Sequence, residues 1–375
     1  MPAVYVVADN IYSPIGTTTA QNFERVKQGI SGIRQHNSTT LSAHPVYASL
    51  FNSNEIKKHK TFTASRFERL LKASLEDALG SCDIDPTNPK NILIISTTKG
   101  NISLLEVEPD AAGLNERIAL HSSAKVIADH FGFTNKPLVV SNACISGIMA
   151  ILTGLRLLQS GQYENAFVVG ADEISKFVLS GFQSFQAISS EPCKPFDENR
   201  TGITLGEGAA TMILSTNAKY ASGIKVLGGA VSNDANHISA PSRTGKELAG
   251  AIERTLSMAG LVAADIDLIS AHGTATSYND EMEAKAIALA GLDMVPANSL
   301  KGYYGHTLGA AGLIESVISM QSLKYNVIIP TLGFEKIGVP NPINICTELT
   351  EKRLKTCLKT ASGFGGCNGA VVFSK

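Results

Sequence analysis

Short, β-rich apolar runs that alternate with helix-length periodic segments predict an α/β protein with buried strands in layers. Two further observations sharpen this. A strand–turn–helix cassette occurs twice, and each half of the chain closes on a glycine-rich bend that feeds a strand. The prediction is an internally duplicated chain of two similar halves, 1–217 and 218–375, with its seam in the polar segment 215–223.

The chain opens on an apolar run that stops at Asp9 with no basic segment before it, so it reads as a first strand and not as a secretion signal. Residues 34–63 are polar and irregular and carry Lys57, Lys58, His59 and Lys60, a surface excursion before a helix over 64–79. Ile92–Ser96 is bounded by turn residues and suits a strand buried on both faces. Leu138–Ser141 is a second such run; it enters the tight turn Asn142-Ala143-Cys144 and a helix of small residues over 145–159. Ala166–Val169 and Thr211–Leu214 complete the first half, the latter entered through Leu205-Gly206-Glu207-Gly208. The second half runs through a helix over 245–259, a strand at Leu268–Ser270 and a helix over 281–290. Its cassette is the strand-like Pro296–Ser299, a glycine-rich turn and a helix over 310–323; Gly363–Gly369 then bends into the last strand, Ala370–Phe373.

Composition limits the function. The 375 residues are 44% hydrophobic and 17% charged, enough apolar content to bury large cores and too much for a disordered or fibrous chain. A net charge of -1 supplies no global field for nucleic acid or an anionic membrane. The six cysteines, at 82, 144, 193, 346, 357 and 367, show no metal-ligand or disulfide-framework spacing, which fits a reducing cytosol. No run reaches the roughly 18 to 20 apolar residues of a membrane helix, so a cytoplasmic location is expected.

Chemistry concentrates at strand-to-turn junctions. Cys144 sits between a strand and a helix, where the helix end favours a thiolate; a buried structural thiol is the alternative. His272 follows a strand directly, in Ser270-Ala271-His272-Gly273-Thr274-Ala275-Thr276, where open α/β folds place ligand chemistry, although a capping histidine looks the same. His306 opens a helix in Lys301-Gly302-Tyr303-Tyr304-Gly305-His306-Thr307-Leu308-Gly309. The helix end and the Lys301 cation both favour its neutral form, which can donate to a developing oxyanion. Glu315 is spaced to pair with Lys301, as a site element or as an ordinary ion pair. Gly363-Phe364-Gly365-Gly366-Cys367-Asn368-Gly369 lacks the dinucleotide spacing and precedes a strand, so it suits oxyanion binding by backbone N–H groups. One cysteine, two histidines, a lysine and a glycine loop together make a nucleophilic acyl-transfer set.

These motifs resemble the β-ketoacyl-acyl carrier protein synthases of the elongating, Cys-His-His type, within the thiolase-like superfamily. The resemblance runs nearly end to end. It rests on Ser13-Pro14-Ile15-Gly16, Asn142-Ala143-Cys144-Ile145-Ser146-Gly147, Pro195-Phe196-Asp197 with Arg200 and Gly206-Glu207-Gly208-Ala209, the His272 loop, Lys301 with His306-Thr307-Leu308-Gly309, Pro330-Thr331, and the Gly363–Gly369 loop. It implies two βαβαβαββ-type halves in a five-layered αβαβα arrangement. It also implies decarboxylative condensation of an acyl group on Cys144 with malonyl-ACP in fatty-acid elongation. His272 and His306 would hold the malonyl thioester carbonyl, Lys301 with Glu315 would order the site, and the N–H groups of Cys144 and Phe364 would form an oxyanion hole. Phe364 would gate the acyl pocket, and Thr274 and Thr276 would contact the pantetheine arm. No metal or organic cofactor is implied, since the acyl groups ride on the phosphopantetheine of an acyl carrier protein.

The chain is shorter than many relatives between residues 100 and 137, where acyl-pocket loops are built. Thr97-Thr98-Lys99-Gly100 replaces a small or apolar stretch, Ser362 stands where an aromatic often occurs, and Cys367 where threonine is usual. These departures allow an unusual acyl chain and a specialised polyketide or polyene pathway. A non-catalytic partner subunit would normally lack the cysteine, and a coenzyme A thiolase would use a second one, for which Cys367 is available. A homodimer is expected, with a heterodimer of related synthases as the alternative. Lys57, Lys58, Lys60 and Arg66 form a local basic patch for an acidic carrier protein, or a merely solvated charge run.

Overall fold

The computed structural model describes residues 2–52, 56, 64–235 and 240–375. Its main sheet has ten strands: β1 (Val4–Tyr12), β2 (Asn91–Ser96), β3 (Leu138–Val140), β4 (Asn165–Asp172), β5 (Gly208–Ser215), β6 (Lys225–Asn233), β7 (Leu268–Ser270), β8 (Ala297–Asn298), β9 (Thr356–Gly363) and β10 (Cys367–Ser374). The spatial order is β8-β7-β9-β10-β6-β1-β5-β4-β2-β3. Read outward from the middle, one half is β1-β5-β4-β2-β3 and the other β6-β10-β9-β7-β8, the same order displaced by five strands. Directions repeat as well. β5 is antiparallel to β1 and β4, and β4-β2-β3 run parallel. β10 is antiparallel to β6 and β9, and β9-β7-β8 run parallel. Within the main sheet the halves meet where β1 pairs β6, Val4 with Val226 and Tyr5 with Lys225.

Strand alternation explains the layers. Along β4, Val168 faces a central apolar cluster and Phe167 an outer one; Met212 and Ile213 divide in the same way on β5, as do Val371 and Val372 on β10. Outer helices α1 (Arg66–Leu79) and α2 (Leu120–Phe131) cover the first half with Phe67, Leu71 and Ile127. Between the halves lies α3 (Ser146–Gln159), which precedes α4 (Lys176–Ser184) in the chain. The second half is covered by α5 (Lys246–Ala259) and α6 (Ser277–Leu289) through Leu248, Ile252 and Ile287. The remaining central helix, α7 (Ala311–Tyr325), packs with α3 and with strands of both halves. The result is helix, sheet, helix, sheet, helix.

Local sequence accounts for the helix boundaries. Ser65 caps α1, accepting from the Glu68 N–H while the Glu68 carboxylate accepts from Ser65, a reciprocal capping box. Residues 311–323 of α7 are buried without exception, so this helix has no polar face to show and is held by packing on all sides. It approaches α3 where Gly147 leaves room: a Cβ there would lie 2.6 Å from the Leu313 nitrogen. Helix α6 starts at Ser277, four residues before the predicted 281, because its first turn is polar and carries no apolar periodicity. Two strands of the main sheet were not read as strands from the sequence. Gly228 and Gly229 interrupt the apolar run of β6, and a charged residue, Lys359, sits in the middle of β9.

Candidate active site

The turn after β3 is held by one side chain. Ser146 Oγ accepts from the Asn142 N–H at 2.8 Å and donates to the Ala143 carbonyl at 2.7 Å. Between them Ala143 takes a φ of 43°, a left-handed conformation that a non-glycine residue adopts at a cost of order 1–3 kcal/mol. This presents Cys144 at the start of α3, where only 9% of it is exposed. The loop between β9 and β10 comes down on the same residue, with the Phe364 backbone N–H on the side that favours the thiolate. Glycine at 363 makes the approach feasible, since a Cβ there would be 2.9 Å from the Cys144 nitrogen.

His272 follows β7 and is fixed from its backbone. Its N–H and that of Gly273 donate to the buried Glu283 carboxylate of α6 at 2.7 and 2.8 Å, and the Thr274 N–H donates to Asp280 at 2.9 Å. Lys301 Nζ lies 3.5 Å from His272 Nδ1. An ammonium facing Nδ1 leaves that nitrogen as acceptor, so in the neutral ring the proton is on Nε2.

His306 belongs to the second half but is gripped by the first. Its N–H donates to the Thr204 carbonyl at 2.7 Å, and its carbonyl accepts from Gly206 at 3.0 Å. Three residues on, the Gly309 N–H donates to Asp172 Oδ2 at 2.7 Å. Asp172 also takes the Thr97 hydroxyl and the N–H groups of Thr98 and Lys99. Neither ring nitrogen of His306 has a hydrogen-bond partner among the described residues, although the ring is buried. A buried imidazole without a protein partner leaves both nitrogens open to water or to a bound molecule.

These turns bring the Cys144 sulfur and ring nitrogens of His272 and His306 within 4.8 Å of one another. The imidazole planes cross at 84° with centroids 5.2 Å apart. Behind them Glu315 of α7 pairs through one oxygen with Lys301 and through the other with Lys359 Nζ at 2.6 Å. Burial, then Lys301, holds both histidines well below the ordinary imidazole range, with Lys359 adding to it. Both rings are therefore neutral. A metal would find three ligand atoms here, but two buried ammonium groups stand beside them and oppose a further cation.

The thiol departs from the sequence expectation. Burial pushes Cys144 up to about 12, with Cys367 adding to the rise and Lys301 only partly opposing it. The helix end does not offset the loss of water, and the resting sulfur is protonated.

A cavity of about 380 Å³ opens onto the three groups. Thr274 and Thr276 line it, their hydroxyls 2.9 Å apart. Phe364 stands at its mouth, stacked on Phe182 of α4 at 5.7 Å between centroids and met edge-on by Phe185 at 5.4 Å. Lys99 is half-buried and lies away from this cavity. Ser362 donates to Asn368 and so pins the base of the Gly363–Gly369 loop.

Arg66 is not available to a docking patch: its guanidinium is bound to Glu207, at 2.6 Å through one nitrogen, and to Glu173 at 3.2 Å, which raises its pKa further. Lys57, Lys58 and Lys60 lie outside the described residues. Sequence reasoning missed Asp172, Glu283 and Lys359.

The comparisons agree with the motifs. A family model described as beta-ketoacyl synthase, N-terminal domain, matches residues 1–219, and the C-terminal domain model matches 224–335. A putative mitochondrial 3-oxoacyl-[acyl-carrier-protein] synthase of Schizosaccharomyces pombe is 26% identical over 429 aligned residues, covering 100% of this chain and 99% of the relative. The putative polyketide beta-ketoacyl synthase 1 of Streptomyces halstedii is 31% identical over 280 residues, 70% of this chain and 66% of that one. The crystal structure of a beta-ketoacyl synthase from Burkholderia phymatum has the same fold, with a TM-score of 0.91 at 23% identity and 100% coverage of both chains.

Proposed function

The chain belongs to the β-ketoacyl synthase family, and we propose that it condenses an acyl group carried on Cys144 with malonyl-ACP, giving β-ketoacyl-ACP in fatty-acid elongation. The first half, 1–217, supplies the nucleophile; the second, 218–375, supplies His272, Lys301, His306 and the gate loop. The reading is carried by one observation: the sulfur and two neutral imidazoles converge on a single cavity, with both ring nitrogens of one imidazole unpaired.

Acylation comes first. The Cys144 sulfur attacks the acyl thioester, its proton passing to a neutral imidazole and then to the departing carrier thiolate, and a new C–S bond replaces the old one. Malonyl thioester then binds with its carbonyl oxygen toward His272 Nε2–H and His306. The bond to CO2 breaks, and its electron pair moves into an enolate whose oxygen both imidazoles stabilise by hydrogen bonds. The enolate carbon attacks the Cys144 thioester, and the N–H groups of Cys144 and Phe364 hold the transient oxyanion. Collapse breaks the C–S bond, and the Cys144 thiolate takes up one proton from solvent to restore the thiol. Decarboxylation generates the carbanion, so neither a metal nor an organic cofactor is required.

Thr274 and Thr276 are placed to take the pantetheine arm, with Phe364 as gate and Glu315 holding Lys301. Lys57, Lys58 and Lys60 remain the proposed carrier-docking cations, without Arg66. A dimer is the expected assembly, with an identical or a related synthase: strand β3 pairs on one side only and leaves Leu138 exposed at the open edge. Among the described residues no helix is long and apolar enough to cross a membrane; we place the protein in the cytoplasm.

The specialised polyketide or polyene reading is favoured by the likeness to the Streptomyces halstedii relative and by the trimmed chain, whose 375 residues align over 429 positions with the yeast relative. Labelled malonyl-ACP, with and without iodoacetamide, tests the chemistry. Alkylation should stop condensation and spare CO2 release. No CO2 release in either case would identify a partner subunit, and condensation of acetyl-coenzyme A without CO2 release a thiolase. Profiling acyl-carrier chain lengths separates the two pathways.

A further inference from the structure

Lys359 is fully buried on β9, and its ammonium group is held by two backbone carbonyls and one carboxylate. Nζ donates to the carbonyls of Ser270 and Ala271, each at 3.1 Å, and meets Glu315 at 2.6 Å. The two carbonyls are those immediately before His272. The next residue, Thr360, projects to the opposite face of the strand and donates at 2.7 Å to Glu283, the carboxylate that holds the His272 and Gly273 N–H groups. Strand β9 thus grips the His272 turn from both faces, because β9 pairs in parallel with β7, Ser270 opposite Lys359. The carboxylate that Lys359 meets also fixes Lys301, which faces His272 Nδ1.

We propose that Lys359 is a positioning residue for the condensation: it fixes the His272 turn through two carbonyls and fixes Lys301 through Glu315. A purely structural role would be better filled by an apolar side chain, since burying an ammonium costs several kcal/mol before its partners compensate. The charges that face the imidazoles are Lys301 from the turn after β8, Glu315 from α7, Glu283 from α6, Asp172 from the end of β4, and Lys359 itself. Of these, Lys301 and Lys359 both hold the histidines neutral. The inference rests on the reading of His272 and His306 as donors to the malonyl carbonyl.

The test is Lys359→Met, with Lys359→Gln as a second uncharged variant, in the full-length protein. Malonyl-ACP decarboxylation and condensation should lose about 10- to 100-fold in kcat while KM stays within about threefold. Cys144 alkylation by iodoacetamide should persist. With one cation removed the histidine pKa values rise, so the acid limb of the kcat profile should move to higher pH. A wild-type kcat and an unmoved acid limb would overturn the proposal. So would loss of folded protein in both variants, which would make Lys359 a structural cation. His272→Ala, run in parallel, keeps the two readings apart: activity lost there but retained in Lys359→Met sinks this inference alone, and activity retained in His272→Ala sinks the reading beneath it.

Discussion

Two influences oppose one another at Cys144. The start of α3 and Lys301 favour a thiolate, while near-complete burial opposes it, and burial prevails. Since the group lies up near 12, the thiolate fraction should rise about tenfold per pH unit through the neutral and alkaline range. Iodoacetamide inactivation should therefore accelerate with pH and show no plateau near the ordinary thiol value of about 8.5. A plateau between pH 6 and 7 would mean a preformed thiolate–imidazolium pair. His306 carries the complementary test. His306→Ala should lose about 2.7–4 kcal/mol of transition-state stabilisation in decarboxylation and condensation. The acylation of Cys144, followed by intact-protein mass, should survive in part. Equal loss of acylation would refute that division of labour.

At the scale of elements, the close contact of α3 with α7 sets the spacing between nucleophile and imidazole. Gly147→Ala would push a methyl to 2.6 Å from the Leu313 nitrogen, a backbone atom that cannot swing aside. The expected cost is roughly 1–3 kcal/mol in urea unfolding. Asp172 works between turns: it collects N–H groups from the 97–99 turn and from Gly309 beyond His306. Asp172→Asn keeps the volume and loses a charged acceptor, so kcat should fall with little change in KM. A fall in stability of about 1.5–3 kcal/mol should accompany it. The elements themselves were largely legible. The runs at 92–96, 166–169 and 268–270 appear as strands because a strand buried on both faces is apolar throughout. Strands β6 and β9 were not, since paired glycines and a lysine erase that signal.

For the whole molecule, the central cluster decides cooperativity. It draws Val168 and Met212 from one half and Val371 and Phe373 from the other onto the same two helices. A fragment of residues 1–217 should therefore fail to fold alone, eluting as aggregate or binding a hydrophobic dye, because α3 would lose the partner that covers it. The proposed carrier docking is tested on the whole protein. Reversing charge at Lys57 and Lys58 should raise KM for acyl-ACP and leave KM for small thioesters unchanged; no difference between the two would remove those lysines from the docking site.

By itself the sequence determined the chemistry's vocabulary. Cys144, His272, His306 and Lys301 stand in turns whose glycines and left-handed residues leave few alternatives, and local constraints of that kind are written locally. The repeated cassette likewise announced a doubled α/β chain. Tertiary structure decided the charge states and the supports. The thiol is neutral because of what surrounds it, and His306 is held by a segment a hundred residues earlier. Lys359 and Glu283 matter only because β9 lies beside β7 and α6 covers it. Strand order and burial are set by pairings distant in the chain, and no spacing along a single sequence encodes them.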